Sequence, residues 1–261
     1  MRYSLLLSCF LTCCFFATAQ KNDTVYITSK NINTAVLREG THRYIVYFKK
    51  SKDATRTQTQ FWTRKIERAT ENQKSVIIIT QEWEDKDTII HTVRSVSDAR
   101  TMQPLYHKTW WNIPQMGTTA VNFSGKTVEH NGKILSDADT ARMAKRIWEA
   151  YKSTGDKFLL NWHLDMEIFP ALPYKNGTTF MIPFYDPGTR APFEVVAYTV
   201  KGSGSLTGYD DQKIDCWLLE HTSQGNKEVF WVSKKTKEVL KLEQEINGSF
   251  YRYKIKLGFS L

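Results

Sequence analysis

The chain has 261 residues, 41% hydrophobic and 13% aromatic, with 36 basic and 27 acidic side chains and a formal net charge of +9. That length supports one large β domain or two small ones, with a core that needs no covalent staples. The lysines come one or two at a time and no block of five like charges occurs, which argues against nucleic acid as a partner and leaves only peripheral contact with an anionic surface.

Taken in order, the chain opens with Arg2, an apolar run from Leu5 to Phe16, and Ala17-Thr-Ala19, small residues where a signal peptidase cleaves ahead of Gln20. Residues 1–19 therefore read as a signal peptide, and 20–261 as one exported domain, periplasmic or secreted. The run is too short to span a bilayer and no later stretch approaches ~18 apolar residues. Cys9, Cys13 and Cys14 leave with the signal; the alternative, a lipoprotein, is the weaker reading because the residues before these cysteines match its small-residue box poorly. Cys216 remains, so no intramolecular disulfide is expected.

Strand signals follow at Val25–Ile27, Arg43–Phe48, Phe61–Ile66, Ser75–Thr80, Asp87–Arg94, Pro104–Trp111 and Thr118–Ser124, rich in β-branched and aromatic residues and parted by polar turns. The period then changes. Ser136 and Asp139 signal a helix start, and Met143, Ala144, Ile147, Trp148 and Tyr151 form one apolar stripe, predicting an amphipathic helix over 137–153 whose plainest role is to cover a sheet face.

Strands resume beyond the helix in the same order. Gly40-Thr41 before Tyr44–Phe48 has a counterpart in Gly177-Thr178 before Met181–Tyr185. Gln73-Lys74 matches Gln212-Lys213, and Val96-Ser97, Thr101 and Leu105 match Val232-Ser233, Thr236 and Leu240. The near-constant offset points to a duplicated meander, with pseudo-repeats at about 40–125 and 177–257. The second ends in a ribbon: Leu240, Leu242, Gln244 and Ile246 alternate with Lys241, Glu243 and Glu245, Asn247-Gly248 makes a two-residue turn, and Tyr251, Tyr253, Ile255 and Leu257 alternate with Arg252, Lys254 and Lys256. The apolar set is expected on the core face and the charged set in water. The fold class is thus mainly β: an antiparallel, strongly curved, half-barrel-like sheet from two duplicated meanders with one amphipathic helix between them.

The segments Asn161–Tyr174, Phe184-Tyr-Asp-Pro-Gly188, Asp215–Leu219, Phe230–Thr236, Val239–Gln244 and Tyr251–Lys254 resemble an exported bacterial family of unknown function, common in Bacteroidetes-type bacteria. Its domain looks like the open half-barrel of periplasmic lipoprotein carriers. The resemblance covers about 156–261 well and implies a bent sheet wrapped around a helix or a greasy ligand. It implies no catalytic residue.

Candidate sites are sparse. His163, Asp165 and Glu167 share a face if Trp162–Phe169 is a strand, whereas a helix aligns His163 with Glu167; the plainer reading makes them wet-face partners of buried Trp162, Leu164, Met166 and Ile168. Cys216 in an apolar strand reads as a buried thiol. Gly202–Gly208 enters no helix and reads as a flexible turn. The aromatic load is the better lead: Trp110, Trp111, Trp162, Trp217, Trp231, Tyr251 and Tyr253 are the candidate ligand-binding residues, against the alternative that each fills the core, and adjacent Trp110 and Trp111 must face opposite ways. No catalytic residue, metal or cofactor is expected. The function expected is a non-enzymatic exported binding protein for a hydrophobic ligand, a lipid or lipoprotein acyl chain. The alternative is a structural or adaptor protein of the cell envelope acting through a protein or glycan interface. A tryptophan-lined cavity favours the first and a filled one the second.

Overall fold

The computed structural model describes residues 23–258, so the expected signal peptide at 1–19 lies outside the described residues. In chain order the strands are β1 (Thr24–Tyr26), β2 (Gly40–Lys49), β3 (Gln58–Glu71), β4 (Lys74–Asp85), β5 (Thr88–Asp98), β6 (Pro104–Trp111), β7 (Thr118–Asn122), β8 (Thr127–His130) and β9 (Lys133–Ile134). Helix α1 (Arg142–Lys152), β10 (Leu160–Asn161) and the short helix α2 (Asp165–Ile168) follow. The chain ends through β11 (Thr179–Tyr185), β12 (Glu194–Thr207), β13 (Lys213–Ser223), β14 (Asn226–Ser233), β15 (Val239–Ile246) and β16 (Phe250–Lys256). They form one mostly antiparallel, strongly curved open sheet in the order β1-β11-β12-β13-β14-β15-β16-β2-β3-β4-β5-β6-β7-β8-β9, with β10 alongside β11.

Each meander contributes six strands, β2–β7 and β11–β16, and the pairing of β16 with β2 lays the two side by side. The turns after β5 and β14 share one geometry. Asp98 N–H donates to Gln103 O and Met102 N–H to Asp98 O; 135 residues on, Ser233 N–H donates to Glu238 O and Lys237 N–H to Ser233 O. Asp98 Oδ1 accepts from Thr101 N–H and Ser233 Oγ from Thr236 N–H, each at 3.0 Å. Met102 and Lys237 both take left-handed backbone, at φ 60° and 53°. Each turn also follows a β-bulge, at Val96/Ser97 and at Trp231/Val232.

The core lies on the inner face of the curve. There Tyr44, Val46, Trp62, Ile66, Ile77, Ile79, Phe180, Ile182, Tyr198, Leu219, Phe230 and Leu242 pack against the segment from Leu160 to Leu172. At about 25 cal/mol per Å² of apolar surface, this shared burial is the main stabilising contribution.

Three expectations change. The helix begins at Arg142, because Asp139 closes a turn by accepting Ser136 N–H at 2.8 Å and the residue before α1, Ala141, offers no side-chain cap. Its apolar stripe packs on Val121, Val128, Leu159 and Tyr185, bridging β7 and β8 to β11 and leaving the inner face to another segment. The faces of β16 are inverted: Lys254 is 4% exposed in the core while Tyr253 sits on the outer face, stacked on Tyr47. Finally, the bulge beside Val239 turns Leu240 outward into a small cluster with Ile214 and Cys216, while Leu242 stays inside. Asn247 and Gly248 take left-handed backbone, at φ 50° and 66°, but Ile246 pairs with Phe250, so Ser249 joins them in a three-residue connection where a two-residue turn was expected.

Candidate functional site

The chain itself fills the inner face. Leu160 and Asn161 pair with Phe184 and Tyr185, Asn161 Oδ1 accepts His163 N–H at 3.0 Å, and the backbone then coils through Trp162–Leu164, α2 and Phe169–Ala171 before Pro173 ends it. The alternation that suggested a strand here is accidental: Leu164 to Leu172 are buried on every side.

Two ion pairs anchor this segment. Arg64 from β3 donates to both carboxylate oxygens of Glu167 at 2.8 and 2.5 Å, and to Gln81 Oε1 and His163 O; the two charged side chains are 1% and 4% exposed. Lys254 Nζ lies 3.2 Å from Asp165 Oδ2. Burial pulls Lys254 down to about 8 even beside that carboxylate. Against its own burial, Asp165 is held below the usual carboxylate range by Lys254 and Arg64. The two carboxylates singled out from the sequence are therefore buried partners of strand cations, neither wet nor free to serve as a base.

His163 meets two further histidines. Its ring lies 4.9 Å from that of His107 and 5.7 Å from that of His91, and its Nε2 is 3.1 Å from Asp186 Oδ1. His91 Nδ1 donates to Trp110 O at 2.8 Å, and His107 Nδ1 meets Ser95 Oγ and Asn161 Nδ2 at 2.9 Å. Burial lowers His91 to about 3 and holds His107 well below its ordinary value, so both are neutral at pH 7. No group of three or more His, Cys, Asp or Glu side chains among the described residues is placed to hold a metal ion. Along the same face Tyr44, Trp62, Trp83, His91 and Trp111 are successive cross-strand partners, with Trp62 and Trp83 stacked at 3.6 Å.

The predicted aromatic residues are not brought together. Trp111 stacks on His91 at 3.7 Å and Trp162 on Phe184 at 5.2 Å, both as inner-face packing. Trp110 alternates with Trp111 onto the outer face. Trp231 packs in the outer cluster with its Nε1 donating to Glu243. Tyr251 and Tyr253 line an outer groove of about 450 Å³ with Lys52, Lys227, Glu243 and Glu245. They do not line the concave side expected for them, because the inner positions of β16 go to Arg252 and Lys254.

Trp217 is different. It lines a groove of about 430 Å³ where the filling segment leaves the sheet, together with Asn31, Asn33, Val36, Pro170, Ala171, Leu172, Pro173, Tyr174 and Lys237. Tyr174 stacks parallel to Trp217 at 5.9 Å, and Lys234 Nζ sits 4.2 Å from the Trp217 ring centre. The size and the mainly apolar wall with a few polar groups match those of small-molecule sites. The sequence offered Trp217 and missed Tyr174 and the two prolines, whose only signal was the Pro-x-x-Pro spacing that ends the buried segment.

No helix among the described residues is long and apolar enough to cross a membrane. No curated protein matches the chain. Residues 43–256, which take in both meanders, apart from the first three residues of β2, and the buried segment between them, match the model of a family described as a protein of unknown function (DUF3108), and the chain belongs to that family.

Proposed function

We propose that the protein is a non-enzymatic exported binding protein for a hydrophobic ligand, a lipid or lipoprotein acyl chain, held in the groove beside Trp217 and Tyr174. The observation that carries this reading is the groove itself, where mainly apolar walls, the stacked pair Trp217 and Tyr174 and a polar rim come together. Export rests on the leader-like run at 1–19 and a periplasmic or secreted site follows from it. A Bacteroidetes-type source rests on the sequence resemblance. The absence of catalysis is supported by Asp165 and Glu167 being spent in buried ion pairs and Cys216 being buried, with its thiol pushed up to about 12 by burial and Asp215.

Organic extraction of protein purified from its host, followed by mass spectrometry, tests the reading. One amphiphile at near-unit occupancy, lost from a folded Val36→Trp variant that fills the groove, is expected. Nothing extracted from the native protein would overturn it.

The filled inner face also favours the second reading, an envelope adaptor working through its outer surface. One feature of that surface is the groove beside Tyr253, whose ring is covered on one side by Tyr47. In that case Val36→Trp leaves the cellular phenotype unchanged and Tyr253→Ala abolishes it.

A further inference from the structure

The duplicated turns provide an internal comparison that says what kind of ligand the groove takes. In the first meander the left-handed turn position is Met102, which is 0% exposed and part of the inner core. At the equivalent place the second meander has Lys237, and there the core is open: Lys237 stands on the wall of the groove with Trp217, Tyr174 and Leu172. An apolar thioether side chain seals one copy, and a lysine borders an open groove in the other.

The charge at that border is uncommitted. Lys234, next to it, is occupied by Asp215 at 3.0 Å, Ser203 at 2.6 Å and the face of Trp217. Glu238, the nearest carboxylate in sequence, is engaged by His42 and Lys256. Lys237 makes no ion pair or side-chain hydrogen bond among the described residues. A cation at the mouth of an apolar cavity favours an anionic head group over a neutral one, since the chain is desolvated on the wall while the charges meet at the rim.

We infer that the groove takes an acidic amphiphile, its carboxylate on Lys237 Nζ and its chain against Trp217, Tyr174 and Leu172. This rests on the binding reading given above and names its ligand class. The probes are laurate and dodecanol, equal in chain length, titrated at pH 8, where the acid is ionised, with tryptophan emission as the readout. Laurate binds about fivefold more tightly to the wild type, the preference shrinks in 1 M NaCl, and Lys237→Gln equalises the two. Lys237→Met, which copies the first meander's residue, stays folded and loses affinity for both probes. Equal affinities in the wild type, or a preference that survives Lys237→Gln, would overturn the inference and leave a groove for neutral lipids. Failure of both probes to bind folded wild type would remove the groove reading itself, and this inference with it.

Discussion

Replacing Glu167 with glutamine tests whether the filling segment is locked in place. The substitution keeps the shape but removes the countercharge of an arginine that is 1% exposed and donates to both carboxylate oxygens. Breaking a buried pair by removing one partner costs about 3–5 kcal/mol, since the remaining charge stays in a poor solvent. Here Gln81 and the His163 carbonyl still accept from the guanidinium, so the lower end, about 3 kcal/mol, applies. With a urea dependence of about 3 kcal/mol per molar, the unfolding midpoint falls by about 1 M. The paired change Arg64→Met with Glu167→Leu recovers most of that loss, because an apolar pair of similar volume needs no countercharge. A cost below about 1 kcal/mol, as for an exposed pair, would refute a buried lock.

Acid stability follows from the two buried histidines. Because the unfolded chain takes up protons near pH 6.5 and folded His91 does so only near about 3, stability is full above about pH 6.5 and declines as pH falls, by about 1.4 kcal/mol per unit for each histidine. Denaturant titrations at pH 7 and pH 5 should show this, and His91→Gln should remove about half of the slope; an unchanged slope would contradict the burial argument. Cys216 should resist a thiol reagent at pH 8 until the protein is unfolded, and rapid native labelling would contradict its elevated pKa. Gly204→Ala places a methyl 2.5 Å from Trp231 Cζ3, so the ring must shift at a cost of about 1–3 kcal/mol by thermal melting, while a neutral result would mean the outer cluster is loose.

Much of the strand architecture was legible, because β-branched and aromatic runs separated by turn residues leave few alternatives; the hairpin of β15 and β16 is one case, its turn one residue longer than expected. The faces of the ribbon were not. Alternation says that two faces differ, and it assumes that the charged one is wet. On β16 the assumption fails because Asp165, 89 residues away in sequence, brings a countercharge to Lys254 inside the core. On β15 one bulge residue, Leu240, shifts the register and so breaks the alternation between Val239 and Leu242. The filling segment misled for a related reason: residues 162–168 alternate like a half-wet strand, yet Arg64 and Lys254 bring the countercharges that let Glu167 and Asp165 be buried with their apolar neighbours. Of the aromatic residues singled out, Trp217 alone borders the apolar groove; Thr101 and Thr236 already align Met102 with Lys237 at 135 residues, but the burial of the one and the place of the other on the groove wall needed the structure.

The position of a bound chain decides whether the groove is the binding site. Fatty acid carrying bromine near the end of its chain quenches tryptophan emission at contact distance. Added to the native protein, it should remove a fraction of the emission that Trp217→Phe abolishes and that Trp231→Phe and Trp110→Phe leave intact. Quenching that persists in Trp217→Phe would place the chain elsewhere and contradict the groove as the binding site.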